Sequence, residues 1–571
     1  MKLKQTVFAG MAPRIEPHLL PESQSQDATN CKLVSGALQA LYDSSIASSP
    51  AGASLVDLYN FDGIWLTFTA RTSIVRAPVY NTDDRFYYTV SGLSPRKALK
   101  ASYPTSFKMG VPKPTSIPTI TLYTDPEGIG EDVQDDVSYV FCWVTGWGEQ
   151  GPPSDPSAIT TIMDNQYVGI TAGITLPAGY STDYNIVGYR LYRLSHGTTG
   201  SEYLQVYTAE WVDNAATGGH IPVSDLTPTD RDGSSYALID GTNLGAALSS
   251  TGFQEPPATM DGLILLSNGV CAGFYGNEIA LSEPFLPFAW NPDYALAVDY
   301  PIVALASYDT AIVVLTNAYP YIIDCYDPAS ATMKRINIPY PCASRDSVVS
   351  GNGLITYGST SSYAGFTAYA STVGFIRISA SGVQNLTDTL FADEQWQALS
   401  PSTMICKFYD NRFYFFSSAA KTGFIIDLSS EIGAYIPFVM ANKVYGATVS
   451  VNPHGLYLLT KTDAGAFKIE KWEGASTRKT ATYTSKLFKL SKPINFQCGR
   501  VTGAQTAVNT VTFQLYGDGA LVYSKTVTDD DAFWLPSGKL YQEIEVKLAT
   551  TAAKIASWEI STSIDELTIE G

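Results

Sequence analysis

The sequence predicts an all-β protein that contains a β-propeller of about five or six blades, an inserted β-sandwich and a C-terminal β-sandwich. One observation is the composition: 45% of the 571 residues are hydrophobic and only 16% are charged. The 36 tyrosines, 45 glycines and 32 prolines suit short strands joined by turns rather than long solvated helices. The other two are the strand and turn pattern of residues 261–328 and its recurrence along the chain.

Residues 261–328 show this pattern most clearly. Short runs rich in β-branched, aromatic and aliphatic residues are separated by turn residues around Asn268 and Asp309. Two such hairpins within about 40 residues would make one four-stranded blade, so we interpret the passage as the best-preserved blade. The runs are 263–266, 270–275, 302–307, 311–316 and 321–325.

Turns of the same kind recur at a spacing typical of propeller blades. Their central residues are Asn268, Asp309, Asn352, Asp410 and His454, at intervals of 41, 43, 58 and 44 residues. Propeller blades repeat about every 40 to 50 residues. The observed spacing fits this period if one loop is inserted before Asp410. An earlier turn at Asp62 would allow a sixth blade. Because the repeats resemble each other only weakly, unrelated antiparallel hairpins in a sandwich stay open as the alternative.

The chain divides into four predicted segments. A proline-rich arm opens the chain and leads to a strand or short helix near 31–41. A stiff linker at 109–118, with three prolines, marks the first boundary. The segments are 1–112 (N-terminal arm and first propeller strands), 113–230 (inserted β-sandwich), 231–480 (main β-propeller) and 481–571 (C-terminal β-sandwich).

The inserted segment has its own pattern. A strand at 139–144 is followed by a long turn at 146–154, which contains Glu149, and by a strand at 185–193 that closes near 203–207. This arrangement resembles the fibronectin type III sandwich. That fold satisfies its backbone internally and needs little from the body into which it is inserted.

The net charge and the cysteine content restrict the classes of function that this protein can have. A net charge of −18 disfavours a protein that grips nucleic acid by neutralising phosphates, but not a surface past which DNA slides. The seven cysteines are odd in number and widely spaced, so we expect buried free thiols and folding in a reducing cytoplasm. No apolar stretch is long enough for a secretory signal or a membrane span, which disfavours a secreted adhesin.

Motifs for catalysis or metal binding are missing from the sequence. There is no P-loop, no GxSxG elbow and no zinc-type histidine spacing. A glycosidase would need paired carboxylates, for which Asp393, Glu394 and Asp410 are the candidates, although we interpret them as turn and surface acids. We interpret two acidic clusters as solvated loops that lack EF-hand spacing, namely Asp125, Glu127, Glu131, Asp132, Asp135 and Asp136, and Asp529, Asp530 and Asp531. The sequence thus predicts no catalytic, cofactor-binding or metal-binding residue and no cofactor.

Several passages together resemble a known family. They are PHLLPESQSQDATNCKLVSGALQAL, LSEPFLPFAWNPDY, VLTNAYPYIIDCYDP, PCASRDSVVSGNGLITYGS, TVGFIRISASGVQNLTDTLFADEQWQALSP and TSKLFKLSKPINF. With them the chain resembles the tail nozzle proteins, or tail tubular proteins B, of short-tailed bacteriophages (podoviruses). The resemblance implies a homohexameric ring of propeller-bearing subunits below the portal and adaptor protein. It also implies contacts with tail fibres or spikes and with a tail plug or needle.

From this resemblance we expect a non-enzymatic virion protein of the phage tail, folded in the cytoplasm of the host bacterium. Double-stranded DNA would pass through the ring during ejection without sequence-specific binding, since an acidic lumen repels phosphates. A closed propeller also suits a rigid wall because it hides most strand edges. The alternative is a receptor-binding or glycan-degrading tail propeller, that is, an adhesin or depolymerase.

Overall fold

The chain is described from a computed structural model, in which regular structure is almost entirely antiparallel β-strand, as predicted. It forms two compact units, Met1–Arg71 with Tyr300–Ile323 and Met333–Gly571, and Thr72–Asp299 with Asp324–Thr332. The finer division into four segments stays a prediction. The residues described are 1–79, 84–124, 132–163, 165–172, 174, 176–197, 200–214, 219–222, 245–357, 360–428, 433–504, 508 and 510–568.

Four-stranded antiparallel sheets follow one another through the first unit. In the first three of these sheets the strands are adjacent in chain order, which is the pattern of propeller blades and confirms the predicted fold class. The last sheet takes its outer strand from the N-terminal segment, because Ser45–Ser48 pairs with Phe467–Lys471. The strands are Ile302–Tyr308, Ala311–Thr316, Tyr321–Asp324 and Thr332–Arg335; Val349–Tyr357, Thr360–Ser371, Gly374–Ser379 and Gly382–Asn385; Met404–Tyr409, Arg412–Ser417, Thr422–Asp427 and Ala434–Val439; and Lys443–Ser450, Gly455–Lys461, Phe467–Lys471 and Ser45–Ser48.

Aromatic side chains pack between neighbouring sheets of this unit. The ring of Phe375 lies 4.9 Å from that of Phe413 and 4.8 Å from that of Phe415, in edge-to-face geometry. Phe415 in turn stacks on Phe424 with centroids 4.5 Å apart. Edge-to-face and offset ring pairs add stability beyond their buried area, so these contacts join consecutive blades into one core.

Four of the five predicted blade turns lie where expected, between the first and second strands of a sheet. Asp309 and Asp410 both adopt left-handed backbone, with φ of 51° and 49°, which tight hairpin turns require. The prediction for Asn352 was wrong, because it lies inside the strand Val349–Tyr357 opposite Gly365. Gly351-Asn352-Gly353 has the composition of a turn, but the antiparallel pairing between Val349–Tyr357 and Thr360–Ser371 continues through it.

The interpretation of 261–328 as one blade was also wrong. The passage contains one complete sheet in the second unit and most of the strands of the next sheet. The turns at Asn268 and Asp309 therefore belong to different sheets. The complete sheet consists of Asp261–Leu265, Cys271–Tyr275, Glu278–Glu283 and Leu286–Trp290, with Leu296–Ala297 paired to its third strand.

A β-sandwich at the C-terminus shares its sheets with the N-terminal segment. The sequence placed the sandwich in 481–571 alone, but Lys2–Gln5 and Ser25–Thr29 are strands of it. Its sheets are Lys2–Gln5, Ile555–Ser561, Cys498–Gly503 and Phe533–Trp534; and Ser25–Thr29, Ala481–Ser485, Tyr541–Thr550, Val511–Gly517 and Ala520–Val527, with Phe488–Ile494 also paired to Tyr541–Thr550. The remaining strands of the first unit are the pairs Cys31–Lys32 with Gln39–Ala40 and Asp57–Phe61 with Ile64–Phe68.

The second unit also contains the inserted sandwich, whose core includes Tyr139, Phe141 and Trp143. The predicted long turn at 146–154 is in part a strand, because Gln150–Pro153 pairs with Tyr139–Thr145. The strands of this unit outside the Asp261–Trp290 sheet are Thr72–Arg76, Arg85–Val90, Arg96–Leu99 and Phe107–Lys108; Thr119–Thr124 and Gln166–Ala172; Val133–Val137 and Thr160–Met163; and Gln150–Pro153, Tyr139–Thr145, Ile186–Gly197, Gly200–Asn214 and Gly219–Pro222.

Helices are short throughout the described ranges. None of them is long and apolar enough to cross a membrane. The α-helices are Tyr180–Tyr184, Asp393–Ala398 and Asp565–Thr568, and the 3₁₀-helices are Pro292–Tyr294, Pro328–Ser330, Arg345–Ser347 and Pro401–Thr403.

Candidate functional site

A small cavity in the first unit lies beside Asp410, one of the acids singled out in the sequence. Asp410 and Asn411 both have positive φ, 49° and 56°, and form a two-residue hairpin turn. The cavity has a volume of about 160 Å³. Its lining comes from the N-terminal segment, the third blade sheet of this unit and Glu473: Cys31, Lys32, Leu33, Leu41, Tyr409, Asp410, Arg412, Tyr414, Ile425, Ile436 and Glu473.

Three of the four charged side chains that line the cavity, those of Lys32, Arg412 and Glu473, form ion pairs within the protein. Lys32 Nζ donates to both carboxylate oxygens of Glu473 at 3.0 Å. Glu473, which has left-handed backbone with φ 51°, also accepts from the backbone N–H of Tyr42 at 3.4 Å. Arg412 Nε donates to Asp427 Oδ2 at 2.8 Å. Both cations of the lining are therefore paired inside the protein.

Two tyrosines face these acids. Burial raises the pKa of Tyr409, and the negative charges of Asp410 and Glu473 raise it further. Burial likewise raises the pKa of Tyr414. The positive charge of Arg412 lowers that pKa, but only partly offsets the effect of burial. Both phenols therefore stay protonated at neutral pH. The Tyr409 hydroxyl is also 3.5 Å from His454 Nε2.

This geometry suits attachment of the N-terminal segment better than catalysis. Glycoside cleavage uses two carboxylates that flank the bond to be broken. Here Glu473 is engaged with Lys32 and the Tyr42 amide, while Asp410 is exposed at the tip of a turn. Ligand pockets also usually enclose about 300–1,000 Å³, well above the volume of this cavity. Its ion pair instead fixes Lys32 to the body of the unit.

The other predicted acids do not line this cavity. Asp393 and Glu394 are exposed in the first turn of the helix Asp393–Ala398, where negative charge favours the helix dipole. Trp396 anchors that helix, since it is buried and its indole Nε1 donates to the Ser371 carbonyl at 2.8 Å. Asp393 and Glu394 therefore lie outside the lining of the cavity beside Asp410.

No protein-family model matches this chain, and no curated protein matches it. Among solved structures, an exo-β-1,3-galactanase from Phanerochaete chrysosporium matches at 9% identity and a TM-score of 0.21, over 52% of this chain and 95% of that chain. A structure of BBS1N in complex with ARL6DN matches at 13% identity and a TM-score of 0.22, over 41% and 82% of the two chains. Similarities this weak carry no argument about what this chain does.

A larger cavity, of about 440 Å³, lies at one end of the sheet that begins with Met404–Tyr409. Sequence reasoning missed this cavity. Aromatic rings and hydroxyl groups dominate its walls, and no residue of the lining is charged. The lining residues are Thr29, Ala398, Leu399, Ser400, Thr403, Met404, Phe416, Ser417, Ala419, Ala420, Thr422, Gly423, Phe424, Tyr435, Pro437, Phe438 and Val439. Such a surface can bind a neutral group through stacking and hydrogen bonds, but it supplies no acid or base.

The acidic cluster at 529–531 is partly structural rather than simply solvated. Asp530 Oδ1 accepts from the backbone N–H groups of Gly503 and Val508, at 3.2 and 2.7 Å. Asp529 accepts from the N–H of Asp531 at 3.1 Å. No group of three or more His, Cys, Asp or Glu residues within the described ranges could hold a metal ion.

The acidic cluster at 125–136 is described only in part, because 125–131 lie outside the described residues. Asp132 is exposed. Asp136 accepts from the Thr161 hydroxyl at 2.5 Å, and Asp135 lies 3.8 Å from the guanidinium of Arg193.

All seven cysteines are buried free thiols, which confirms that prediction. Burial raises the pKa of each of them, for example to about 12 for Cys271 and Cys342, so the thiols stay protonated and unreactive. The seven are Cys31, Cys142, Cys271, Cys325, Cys342, Cys406 and Cys498.

Proposed function

We propose that this protein is a non-enzymatic structural component of the tail of a short-tailed bacteriophage. It would form a homohexameric nozzle ring below the portal and adaptor protein and enclose the channel through which DNA is ejected. The ring would also mount tail fibres or spikes and a tail plug or needle. The protein would fold in the host cytoplasm and act in the virion.

The observation that carries this proposal is the integration of the N-terminal segment into distant sheets. Lys2–Gln5 pairs with Ile555–Ser561, and Ser25–Thr29 pairs with Ala481–Ser485. Ser45–Ser48 completes the sheet that ends with Phe467–Lys471. Pulling out either end of the chain would therefore require breaking several ladders at once. A wall that resists the force of DNA ejection needs this kind of closure.

Side chains reinforce the same closure. The N-terminal amino group donates to the carboxylate of Glu566 at 2.9 Å. Gln5, which is buried, donates to the hydroxyl of Tyr483 at 2.7 Å and accepts from the indole of Trp558 at 2.8 Å. Together with the Lys32 and Glu473 pair, these contacts fix the N-terminal segment at successive points along its length.

The net charge supports a conduit for DNA. Each chain carries −18, so a ring of six would be strongly acidic. Phosphates would be repelled rather than bound, which keeps DNA mobile in a channel. That Asp393 and Glu394 do not line the cavity beside Asp410 supports a non-catalytic role.

Imaging tests the proposal directly. Negatively stained tails should show this protein, located with an antibody or a tag, as a ring of six subunits around an axial hole. The ring should co-purify with the portal and adaptor protein. A trimeric spike, or a location only at the tips of fibres, would contradict the nozzle.

The alternative is a receptor-binding or glycan-degrading tail protein, and the 440 Å³ cavity favours it because rings and hydroxyls are typical of sugar contacts. The purified protein would then bind or cleave capsular polysaccharide of the host. Because that cavity has no acid in its lining, cleavage would have to use one outside it, and Asp410 is the acid that the sequence singles out on the same sheet. Release of reducing sugar that is lost in Asp410→Asn, but kept in Asp463→Asn at another exposed position, would favour this alternative over the nozzle.

A further inference from the structure

The C-terminal sandwich exposes large apolar side chains within residues 518–540. Leu521 is 52% exposed, Trp534 62% and Leu540 64%. Trp534 stands out because its neighbours Phe533 and Leu535 are both buried. Apolar groups concentrated on one part of a surface often mark protein contacts. We call residues 518–540 the apolar margin.

Internal contacts hold the apolar margin in a defined shape. The ring of Tyr523 stacks on that of Phe533, with centroids 6.2 Å apart, and joins the strand Ala520–Val527 to the segment that carries Trp534. The carboxylate of Asp518 accepts from the backbone N–H groups of Gln542 and Glu543, at 3.0 and 2.9 Å. The hairpin tip next to Leu521 is thus tied to the start of the strand that follows Leu540.

The sheet ends here in an open edge. Ala520–Val527 is the last strand of its sheet and pairs only with Val511–Gly517 among the described strands. It is eight residues long and contains no proline, but it carries the exposed Lys525 and a register shift opposite Leu515 and Tyr516. A lysine and a bulge protect an edge from pairing with another strand. A partner would therefore cover the exposed apolar side chains beside this edge rather than extend the ladder.

The opposite side of the same sheet is blunted and basic. Ile544 pairs with Gly517 on one side and with Phe488 on the other, so Phe488–Ile494 borders the far side. We call residues 486–494 the lysine margin. It contains Lys486, Lys489, Lys492 and Pro493 but no acid. Lysine and proline are the usual residues of a protected edge.

The two margins carry opposite charge. Within the apolar margin four aspartates (Asp518, Asp529, Asp530 and Asp531) outnumber two lysines (Lys525 and Lys539). Asp531 is exposed, and its carboxylate has no hydrogen-bond partner among the described residues. Among the residues that the structure describes, Lys489 is the one lysine of this margin with an acidic partner, Glu543 at 3.2 Å, while Lys492 is exposed.

We propose that the apolar margin of one copy of this chain docks against the lysine margin of a second copy. The aliphatic stems of the lysines would cover Leu521 and Leu540, and their ammonium groups would face Asp531 and the Trp534 ring. Because the two margins are different surfaces, with Ala520–Val527 and Phe488–Ile494 on opposite sides of one sheet, the contact is head-to-tail, which builds rings where the rotation closes. This inference rests on the proposed ring and adds its subunit contact.

Charge reversal in two different copies tests this contact. One variant is Asp531→Lys, and the other is Lys486→Glu/Lys492→Glu. Each alone should weaken self-association of the full chain about tenfold or more, since like charges then face each other. An equimolar mixture should recover self-association to within about threefold, because in alternating copies one type of contact joins two unaltered margins and the other joins two margins whose reversed charges attract each other. Sedimentation velocity over a range of concentrations measures this.

The matched control is Lys334→Glu/Lys443→Glu, which changes the net charge equally at two exposed lysines in other sheets. It should leave association within about twofold of the unaltered chain, whereas Trp534→Ser should weaken it about tenfold. Raising the salt from about 50 to about 500 mM should also weaken association.

Equal association of all variants would overturn the proposed contact, as would failure of the mixture to recover or a chain that stays monomeric at high concentration. None of these results removes the nozzle proposal, which depends on the ring seen in tails. Conversely, absence of a ring from tails alongside recovery in the mixture would overturn the nozzle and keep the contact.

Discussion

Lys97 and Glu149 form an ion pair that is almost completely removed from water. The Lys97 side chain is 0% exposed and that of Glu149 2%. Lys97 Nζ also donates to the Gly110 carbonyl at 3.4 Å, and the Tyr87 hydroxyl donates to Glu149 Oε1 at 3.2 Å. Replacing Lys97 with Met would leave the carboxylate buried without its cation, so we expect a large loss of stability in the second unit.

The size of the loss follows from burial. Removing one partner of a buried pair costs about 3–5 kcal/mol, because the remaining charge regains neither partner nor water. The Thr145 hydroxyl, 3.2 Å from Glu149 Oε2, keeps one hydrogen bond to the carboxylate, so we expect the lower end, about 3 kcal/mol. Lys97→Met/Glu149→Gln removes both charges and keeps an acceptor for Tyr87. Its cost should therefore fall to about 1 kcal/mol.

Hydrogen exchange of the amides in Arg85–Val90 and Tyr139–Thr145 measures the local free energy of opening. The matched control is Lys113→Met, which breaks an exposed pair with Asp155 (55% and 67% exposed) and should cost less than about 1 kcal/mol. If Lys97→Met cost no more than this control, or if the double variant were no more stable than the single one, the pair would not act as a buried unit.

Three further predictions concern other buried groups. Trp290→Ala should cost about 3–5 kcal/mol in thermal unfolding, because Trp290 is 2% exposed inside its own unit rather than at a subunit contact; a cost below about 1 kcal/mol would contradict its burial. Arg377→Met should raise the thermal midpoint, since Arg377 is buried, its Nε and Nη2 lack hydrogen-bond partners among the described residues, and burial lowers its pKa. A lower midpoint would reveal a partner for the guanidinium. Burial raises the thiol pKa of Cys271 from 9.0 to about 12, so unfolded chains bind fewer protons in that range and stability should fall as pH rises from about 9 to about 12. Urea unfolding should show a smaller fall in Cys271→Ala.

Local turn chemistry explains the part of the fold that the sequence predicts well. Asp309 and Asp410 occupy left-handed positions that few residues tolerate, and the apolar runs beside them have strand length, so turn and strand agree. The prediction for Asn352 was wrong because the same local composition also fits a strand, in which Asn352 pairs with Gly365 of the neighbouring strand. Local composition alone cannot distinguish these cases, since pairing decides between them.

The candidate site was less predictable because its parts are far apart in sequence. Asp410 was found through its turn, but its neighbours in the cavity come from the N-terminal segment and from Glu473. The pairing of Lys32 with Glu473 spans 441 residues, and no periodicity or motif links the two. The left-handed backbone of Glu473 is invisible in the sequence, because Glu is not a residue that favours this conformation.

The same long-range pairing constrains how the chain reaches its final structure. Lys2–Gln5 and Ser25–Thr29 are synthesised long before their partners Ile555–Ser561 and Ala481–Ser485. Segments made first usually fold first, whereas these two strands stay unpaired until their partners have been made. Loop closure over such distances is slow, so the sandwich and its two margins form at the end of folding. If the margins join neighbouring copies, a chain can enter the ring only after residues 481–561 have been made and have paired with Lys2–Gln5 and Ser25–Thr29, since these strands build the sandwich that carries the docking surface.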